Sequence, residues 1–440
     1  MSEQKLKREL GLRDVTLFAT ACVTATRWIP AAAHTGPSSV SLWILTAVLF
    51  MAPLAISVGA LAAKYPGAGG LYTWARSDFG PWHGFLCFFV YWVGIAVWFP
   101  SAAIFYMSAG LSALPAPLAA LTGSRPAMLA VAIAAIWIAL GANLIGLKTG
   151  KWIENTGGAA TWLVTILLVA IAGLVWRARG SATPIHIAPT WNWSTVNFWS
   201  TLAYGMSGME MVALMGAEIH DPLRTLPRAG WIASAFAVVF YTSTTIAVLV
   251  LLTPAGINEV TGFTQAGQSA GAVLHAAWLV PVLALLVLAT GIGQIGGLGT
   301  AVSRLPFAAG ADRMLPPAFA RVHPRWGTPH VAILWLGIVA TFLIAVYQLG
   351  DTMRAAYDEL VSLMVITGFL PYLYIFGSAW KAGKRLSALS GWLVTLLTLV
   401  CAVVPTPDVT NVLLFECKLL GGTAAVMLAA WLLYGRASRL

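Results

Sequence analysis

The sequence predicts an all-α membrane protein with twelve transmembrane helices. Three observations predict it. The chain is 59% hydrophobic and 9% charged, with mean hydropathy +0.83, far outside the soluble range. Its apolar residues gather into twelve long runs. Its basic residues follow the loop pattern that orients membrane proteins.

The runs cover about 15–34, 40–63, 83–113, 127–147, 152–176, 195–217, 229–253, 271–303, 331–349, 356–380, 388–404 and 411–434. Most reach the roughly 20 residues that cross about 30 Å of hydrocarbon. Lipid leaves the backbone no partner but itself, so each run is read as a helix. The two longest, 83–113 and 271–303, are expected to tilt or to extend past the bilayer. Runs and short loops use up the chain and leave no room for a soluble domain. With the N-terminus in the cytoplasm, 19 of the 25 basic residues fall on that side and four on the other. That bias puts both termini inside, and it accounts for the net charge of +10 without a nucleic-acid partner. No small-residue cleavage site follows the basic N-terminus, so the first helix is read as uncleaved.

Taken in order, the first span carries Arg27 twelve residues after Val15, roughly 18 Å into the membrane at 1.5 Å per residue. A guanidinium at that depth costs on the order of 3 kcal/mol. Pro30, three residues on, removes a backbone donor and disrupts the turn before it. The loop after span two, 64–82, contains the amphipathic Leu71-Tyr72-Thr73-Trp74. Span five has Glu154 near its start. Span six holds Gly205 and Gly208, then Glu210 about fifteen residues after Thr195, roughly 22 Å from the external face. Glu218 ends that span, and it and Glu154 are expected to be hydrated at the cytoplasmic ends. The external 254–270 loop after span seven is the counterpart of 64–82. Glu416 and Lys418 in span twelve are two apart, share no face, and are read as peripheral. Cys22, Cys87, Cys401 and Cys417 lie inside apolar runs without ligand spacing and are expected to be buried small hydrophobes.

Spans one and six are the two with charge well inside them and glycine or proline interruptions. If 15–176 (spans one to five) and 195–380 (spans six to ten) form two halves, the breaks occupy matching positions. An odd number of spans per half sets the halves in opposite orientation, the inverted-repeat logic of secondary transporters. Residues 1–14 are then a cytoplasmic tail, and 388–434 hold spans eleven and twelve.

The run Tyr65-Pro66-Gly67-Ala68-Gly69-Gly70-Leu71-Tyr72-Thr73-Trp74-Ala75-Arg76, with Phe79-Gly80 and Gly84-Phe85, resembles the signature between spans two and three of the amino acid–polyamine–organocation transporters. Gly208-Met209-Glu210, Ala217-Glu218-Ile219, Asp221-Pro222 and Pro227-Arg228-Ala229 are similar to that family's span six and its exit. Ala311-Asp312-Arg313-Met314-Leu315-Pro316 with Thr328-Pro329 is similar to its loop after span eight. The resemblance covers about residues 10–380. It implies a LeuT-like five-plus-five inverted repeat with two additional C-terminal helices, and amino-acid or amine transport driven by protons or by exchange. It also implies proton-linked gating at Glu210 and an external gating tyrosine at Tyr91. One departure stands out: the family's glycine-serine-glycine-type stretch in span one reads here Thr24-Ala25-Thr26-Arg27-Trp28-Ile29-Pro30. With Trp98-Phe99-Pro100 in span three, it looks closer to the glutamate–GABA antiporter branch.

The candidate substrate-binding residues are Thr24, Ala25, Thr26, Arg27, Tyr204, Gly205, Ser207 and Gly208. Broken backbone there exposes amides and carbonyls to an α-amino and α-carboxyl group. Arg27 offers a fork of donors to a carboxylate, or pairs with Glu210 as a gate. The candidates for proton coupling and gating are Glu210, Tyr91, Trp28 and Trp98. Most other tryptophans, Trp191 and Trp193 among them, are read as interfacial anchors. No metal cluster, phosphate loop or nucleophile triad appears, so no cofactor is expected. A sodium site near spans one and eight, with Thr290 as a ligand and Thr161 nearby, stays open. The expected partners are a small amino acid or amine, a proton as coupling ion, and the lipid bilayer; oligomeric state is open. The function expected is a proton-coupled secondary transporter of amino acids in the bacterial inner membrane, working by alternating access. Its rivals are an obligate amino acid/amine or polyamine antiporter and, more remotely, a non-transporting solute sensor. A membrane enzyme would need clustered intramembrane acids or histidines, and there are none.

Overall fold

The structure is a computed structural model that describes residues 8, 10–65, 67, 69–112, 115–185, 188, 193–347, 353–404 and 412–437. Among them every regular element is helical, apart from a single β-bridge between Leu10 and Ile219. Pro66, Ala68 and Trp191 lie outside the described residues.

The helices are α1 (Leu12–Val23), α2 (Trp28–His34), α3 (Ser38–Thr46), α4 (Ala52–Lys64), α5 (Leu71–Phe79), α6 (Pro81–Leu111), α7 (Ala116–Ala119), α8 (Arg125–Leu144), α9 (Leu147–Arg179) and α10 (Trp193–Gly205). They continue with α11 (Met209–Leu214), α12 (Pro222–Leu251), α13 (Gly262–Leu274), α14 (Leu279–Val302), α15 (Arg304–Ala311), α16 (His330–Tyr347), α17 (Met353–Lys381), α18 (Arg385–Val403) and α19 (Val412–Ala437). Nine helical stretches among the described residues are apolar and long enough to cross a membrane, and His330–Ala345 is a shorter apolar helix. The expected spans 15–34 and 195–217 are each split in two: α1 with α2, and α10 with α11. The expected span 271–303 begins later, at Leu279. Residues 271–274 complete α13, and His275 turns the chain at φ 51°. The run's first residues, 271–274, are the apolar last turn of α13, with Gly271 buried and Val273 and Leu274 packed against the core, so hydrophobicity alone set the boundary too early.

A π-helical turn, Ala47–Met51, joins α3 to α4. Pro53 has no N–H for the Leu49 carbonyl, and the Ser390 hydroxyl of α18 donates to that oxygen instead, at 2.6 Å. Helices α9 and α14 cross backbone to backbone: a Cβ on Gly157 would stand 2.5 Å from the Gly293 Cα. Small residues permit such approach between membrane helices. One turn along, the Thr161 and Thr290 hydroxyls are 3.3 Å apart and hydrogen-bonded.

The two split helices run antiparallel. The start of α1 and the exit of α11 are joined at Leu10 and Ile219, with Leu10 N–H donating to the Glu218 carbonyl (3.0 Å) and His220 N–H to the Leu10 carbonyl (3.1 Å). At the far end of α2, His34 Nδ1 lies 3.1 Å from the carbonyls of Pro254 and Ile257. Leu10 thus marks one end of the bundle and His34 the other. At the Leu10 end, α5 is tied down by Tyr65 to Asp78 (2.7 Å), Tyr72 to Asp312 (2.8 Å) and Arg76 to Asp312. Burial, and then the neighbouring Asp312, push the Tyr72 hydroxyl's pKa upward, so it stays a neutral donor.

Glu218 corrects its expectation. It is 1% exposed and holds Arg304, also 1% exposed, by two hydrogen bonds of 2.8 and 3.0 Å. Both side chains end inside the packed junction of the α11 exit with α15, where water does not reach. Glu154 is half-buried and accepts the Thr300 hydroxyl at 2.8 Å. Cys417 is exposed rather than buried, on the outer face of α19, while Cys87 and Cys401 are buried.

Removing one partner of a buried pair strands the other charge, at about 3–5 kcal/mol. Glu218→Gln is therefore expected to lower the thermal midpoint of the purified protein markedly, and adding Arg304→Gln should recover part of the loss. A midpoint that does not move would show the pair to be energetically idle.

Candidate functional site

The break in span one begins with Pro30. It cannot donate to the Thr26 carbonyl, which is taken by Ile29 N–H in a tight turn at 3.0 Å. Thr24 is extended (φ −123°, ψ 116°), so α1 stops before it. The peptide groups released there find side chains. The Thr24 carbonyl accepts Gln294 Nε2, which also reaches the Ala21 carbonyl at 3.2 Å. Gln294 is held in turn by the Tyr106 hydroxyl on its Oε1 at 2.5 Å. Ala25 N–H donates to the Tyr241 hydroxyl at 3.0 Å.

In span six the chain leaves the helix after Gly205 and re-enters at Met209. Gly208 makes the turn at φ 109°, a left-handed conformation that favours glycine. A Cβ there would also stand 2.7 Å from the Cys22 carbonyl, so glycine lets the two breaks touch. Gly208 N–H donates to Glu210 Oε2 (3.2 Å) and to the Tyr372 hydroxyl (3.3 Å). The Gly205 carbonyl accepts the Tyr241 hydroxyl at 2.7 Å. Ser207 turns its hydroxyl back to the Tyr204 carbonyl at 2.7 Å.

Glu210 is fully buried in the first turn of α11, where the helix N-terminus favours a carboxylate. Its other oxygen accepts the Tyr91 hydroxyl. Arg27 is 1% exposed. Its guanidinium carbon lies 4.1 Å from the Trp28 ring centre and 5.3 Å from that of Trp98. Nη1 donates to the Ser101 hydroxyl at 2.7 Å, Nη2 points at the Met364 sulfur at 3.4 Å, and Nε is buried without a partner. Among the described residues no carboxylate lies within 4.0 Å of it. The expected Arg27–Glu210 pair is not made. Their α6 partners, Ser101 and Tyr91, are ten residues apart, about 15 Å of helical rise. Tyr91 lies on the Leu10 side of Ser101.

Between the two breaks is a small cavity of about 30 Å³, measured as the space open to the centre of a water molecule. Eight of the residues singled out in the sequence line it: Ala25, Trp28, Tyr91, Trp98, Tyr204, Gly205, Ser207 and Gly208. Thr24, Thr26, Arg27 and Glu210 do not; they stand behind the lining, Arg27 behind the rings of Trp28 and Trp98. Trp28 meets Tyr204 edge-on, with ring centres 5.9 Å apart. The lining also includes Cys22, Gln294 and Tyr372, which were not chosen.

A family model described as amino acid permease matches residues 10–414. The chain belongs to the amino acid permease family. The permease is similar along 97% of its length to an uncharacterized transporter of Legionella pneumophila, at 25% identity and covering 96% of that protein. It is 22% identical to a probable agmatine/putrescine antiporter of Lactococcus lactis, over 86% of this chain and 80% of that one. It is 25% identical to a serine/threonine exchanger of Bacillus subtilis, over 86% and 84% of the two chains. These matches bear out the resemblance to the amino acid–polyamine–organocation superfamily and make the permease a multi-pass membrane protein.

Gln294 left a signal in the sequence that was overlooked: an amide inside an apolar run, among Gly291, Gly293, Gly296 and Gly297. Gln294→Leu in the permease leaves the Thr24 carbonyl and the Tyr106 hydroxyl buried and unpartnered, at about 1–3 kcal/mol for each such group. The variant is expected to melt several degrees lower and to lose uptake, as read by thermal unfolding and by flux in liposomes. Wild-type values in both assays would mean that the break is held by something else.

Proposed function

We propose that the permease is a proton-coupled secondary transporter of amino acids across the cytoplasmic membrane, working by alternating access with both termini in the cytoplasm. It crosses twelve times, with 15–176 and 195–380 as inverted repeats. The observation that carries this reading is the pair of helix breaks facing each other across one buried cavity, with main-chain groups held by side chains. Antiparallel broken helices at the first position of each half support the inversion.

In this reading Thr24–Arg27 and Tyr204–Gly208 form the substrate walls, and Arg27 attracts the substrate's anionic group. A buried cation without a counter-charge is destabilising by several kcal/mol. The Trp28 and Trp98 faces offset on the order of 1–2 kcal/mol each. A carboxylate from the solute supplies the rest when the two rings part. This favours a solute bearing a carboxylate, in keeping with the glutamate–GABA antiporter branch. Glu210, bonded only to neutral donors, takes and releases the coupling proton, with Tyr91 and Trp98 as gates. One proton moving across 100 mV supplies about 2.3 kcal/mol, close to a fiftyfold solute gradient.

A second reading, obligate exchange of an amino acid for an amine, is favoured by two relatives whose names are those of an antiporter and an exchanger. Counterflow without net proton-linked uptake in liposomes would select it. For the lead reading, Arg27→Ala is expected to raise KM for the transported acid at least a hundredfold while the protein still reaches the membrane. Normal KM in that variant refutes the binding role. Glu210→Gln is expected to give uptake that no longer rises as external pH falls; persistence of that rise counts against proton coupling at Glu210.

A further inference from the structure

Tyr241 belongs to neither break, yet it is hydrogen-bonded to both. It sits on α12, fully buried and outside the cavity lining. Its hydroxyl accepts Ala25 N–H (3.0 Å) and donates to the Gly205 carbonyl (2.7 Å), joining the span-one break to the end of α10. One hydroxyl therefore satisfies a donor from one wall and an acceptor from the other. The ring is fixed independently of these bonds. It stacks on Trp43 with centres 4.1 Å apart and planes 15° from parallel. The Trp43 indole is in turn pinned by its N–H to the Thr245 hydroxyl at 3.2 Å, one turn further along α12. Gly205 is caught between the same partners, for a Cβ there would stand 3.1 Å from both Trp28 and Trp43.

We propose that Tyr241 is a positioning residue that registers the two cavity walls against each other. It acts from behind them, so it touches no solute and competes with none. Substrate affinity then depends on a hydroxyl outside the cavity. With the bridge in place, Ala25 and Gly205 face the solute at a fixed separation. Without it, each wall adjusts alone, and bound solute must order both. This inference rests on the reading of Ala25 and Gly205 as substrate walls.

The test uses the full-length permease. The probes are L-glutamate, L-serine and agmatine, using whichever is transported. Tyr241→Phe keeps the stacked ring and removes only the bridge. It is expected to raise KM, and the Kd read by calorimetry on the purified protein, about tenfold (about 1.4 kcal/mol), with maximal flux changed less than KM. Thr245→Val, which unpins Trp43 but keeps the hydroxyl, is the comparison for any loss of stability. Wild-type KM and Kd in Tyr241→Phe, or an equal loss in Thr245→Val at a matched melting temperature, overturns the proposal. A wild-type Kd in Ala25→Val, which crowds the cavity, means that the substrate-wall reading has failed first, and the two failures are told apart.

Discussion

A peptide group released from a helix in the middle of a hydrocarbon layer has no water to turn to, and the rest of this structure is organised around that constraint. Two breaks release carbonyls at Thr24 and Gly205 and amides at Ala25 and Gly208, and each meets a side chain from another helix or from the turn itself. The helices that supply them are fixed as a consequence. Gln294 requires α14 beside α1, Tyr241 requires α12 behind both breaks, and Tyr372 requires α17 at the start of α11. The cavity is what remains between segments that cannot close into regular helix.

The buried charges are handled in three different ways, and the difference separates scaffold from site. Glu218 and Arg304 neutralise each other with two hydrogen bonds. Pairs of this kind hold elements together while adding little net stability. Glu210 is stabilised only by dipoles: the Tyr91 hydroxyl, the Gly208 amide and a helix N-terminus. Such an environment accommodates a carboxylate and leaves room for a proton. Arg27 has aromatic faces and one hydroxyl. Like Glu210 it has no full opposite charge beside it among the described residues, and its Nε also lacks a hydrogen-bond partner, so an anion brought next to it would change its energy most.

Much of this was legible in the sequence because membrane helices advertise themselves. Pro30 and the glycines of Tyr204–Gly208 marked both breaks within a residue or two, since a missing N–H and a residue tolerant of φ 109° are local properties. What was not legible depended on which helix stands behind which. Tyr241 looks like any aromatic in an apolar run. Glu218 reads as a helix-end acid until Arg304 is brought to it from 86 residues away. The Arg27–Glu210 pairing failed for a related reason: depth along each helix was estimated, but α6 sets both side chains apart by holding them at Ser101 and Tyr91.

The two ends of the bundle are closed by different physics. At the Leu10 end the contact is between backbones: a Cβ on Gly216 would stand 2.6 Å from the Gly67 carbonyl, and the Leu10–Ile219 bridge and the Glu218–Arg304 pair lie alongside. Separating these surfaces means breaking main-chain hydrogen bonds and a buried ion pair together, a cooperative step with little room for partial opening. At the His34 end the ties are hydrogen bonds: His34 on the Pro254 and Ile257 carbonyls, Ala182 N–H on the Val250 carbonyl, and Arg179 and Ser269 on the Leu251 carbonyl. In the proposed transport cycle, neutralisation of Glu210 in the first turn of α11 would act on the Leu10 end, because that turn leads within eight residues to Glu218.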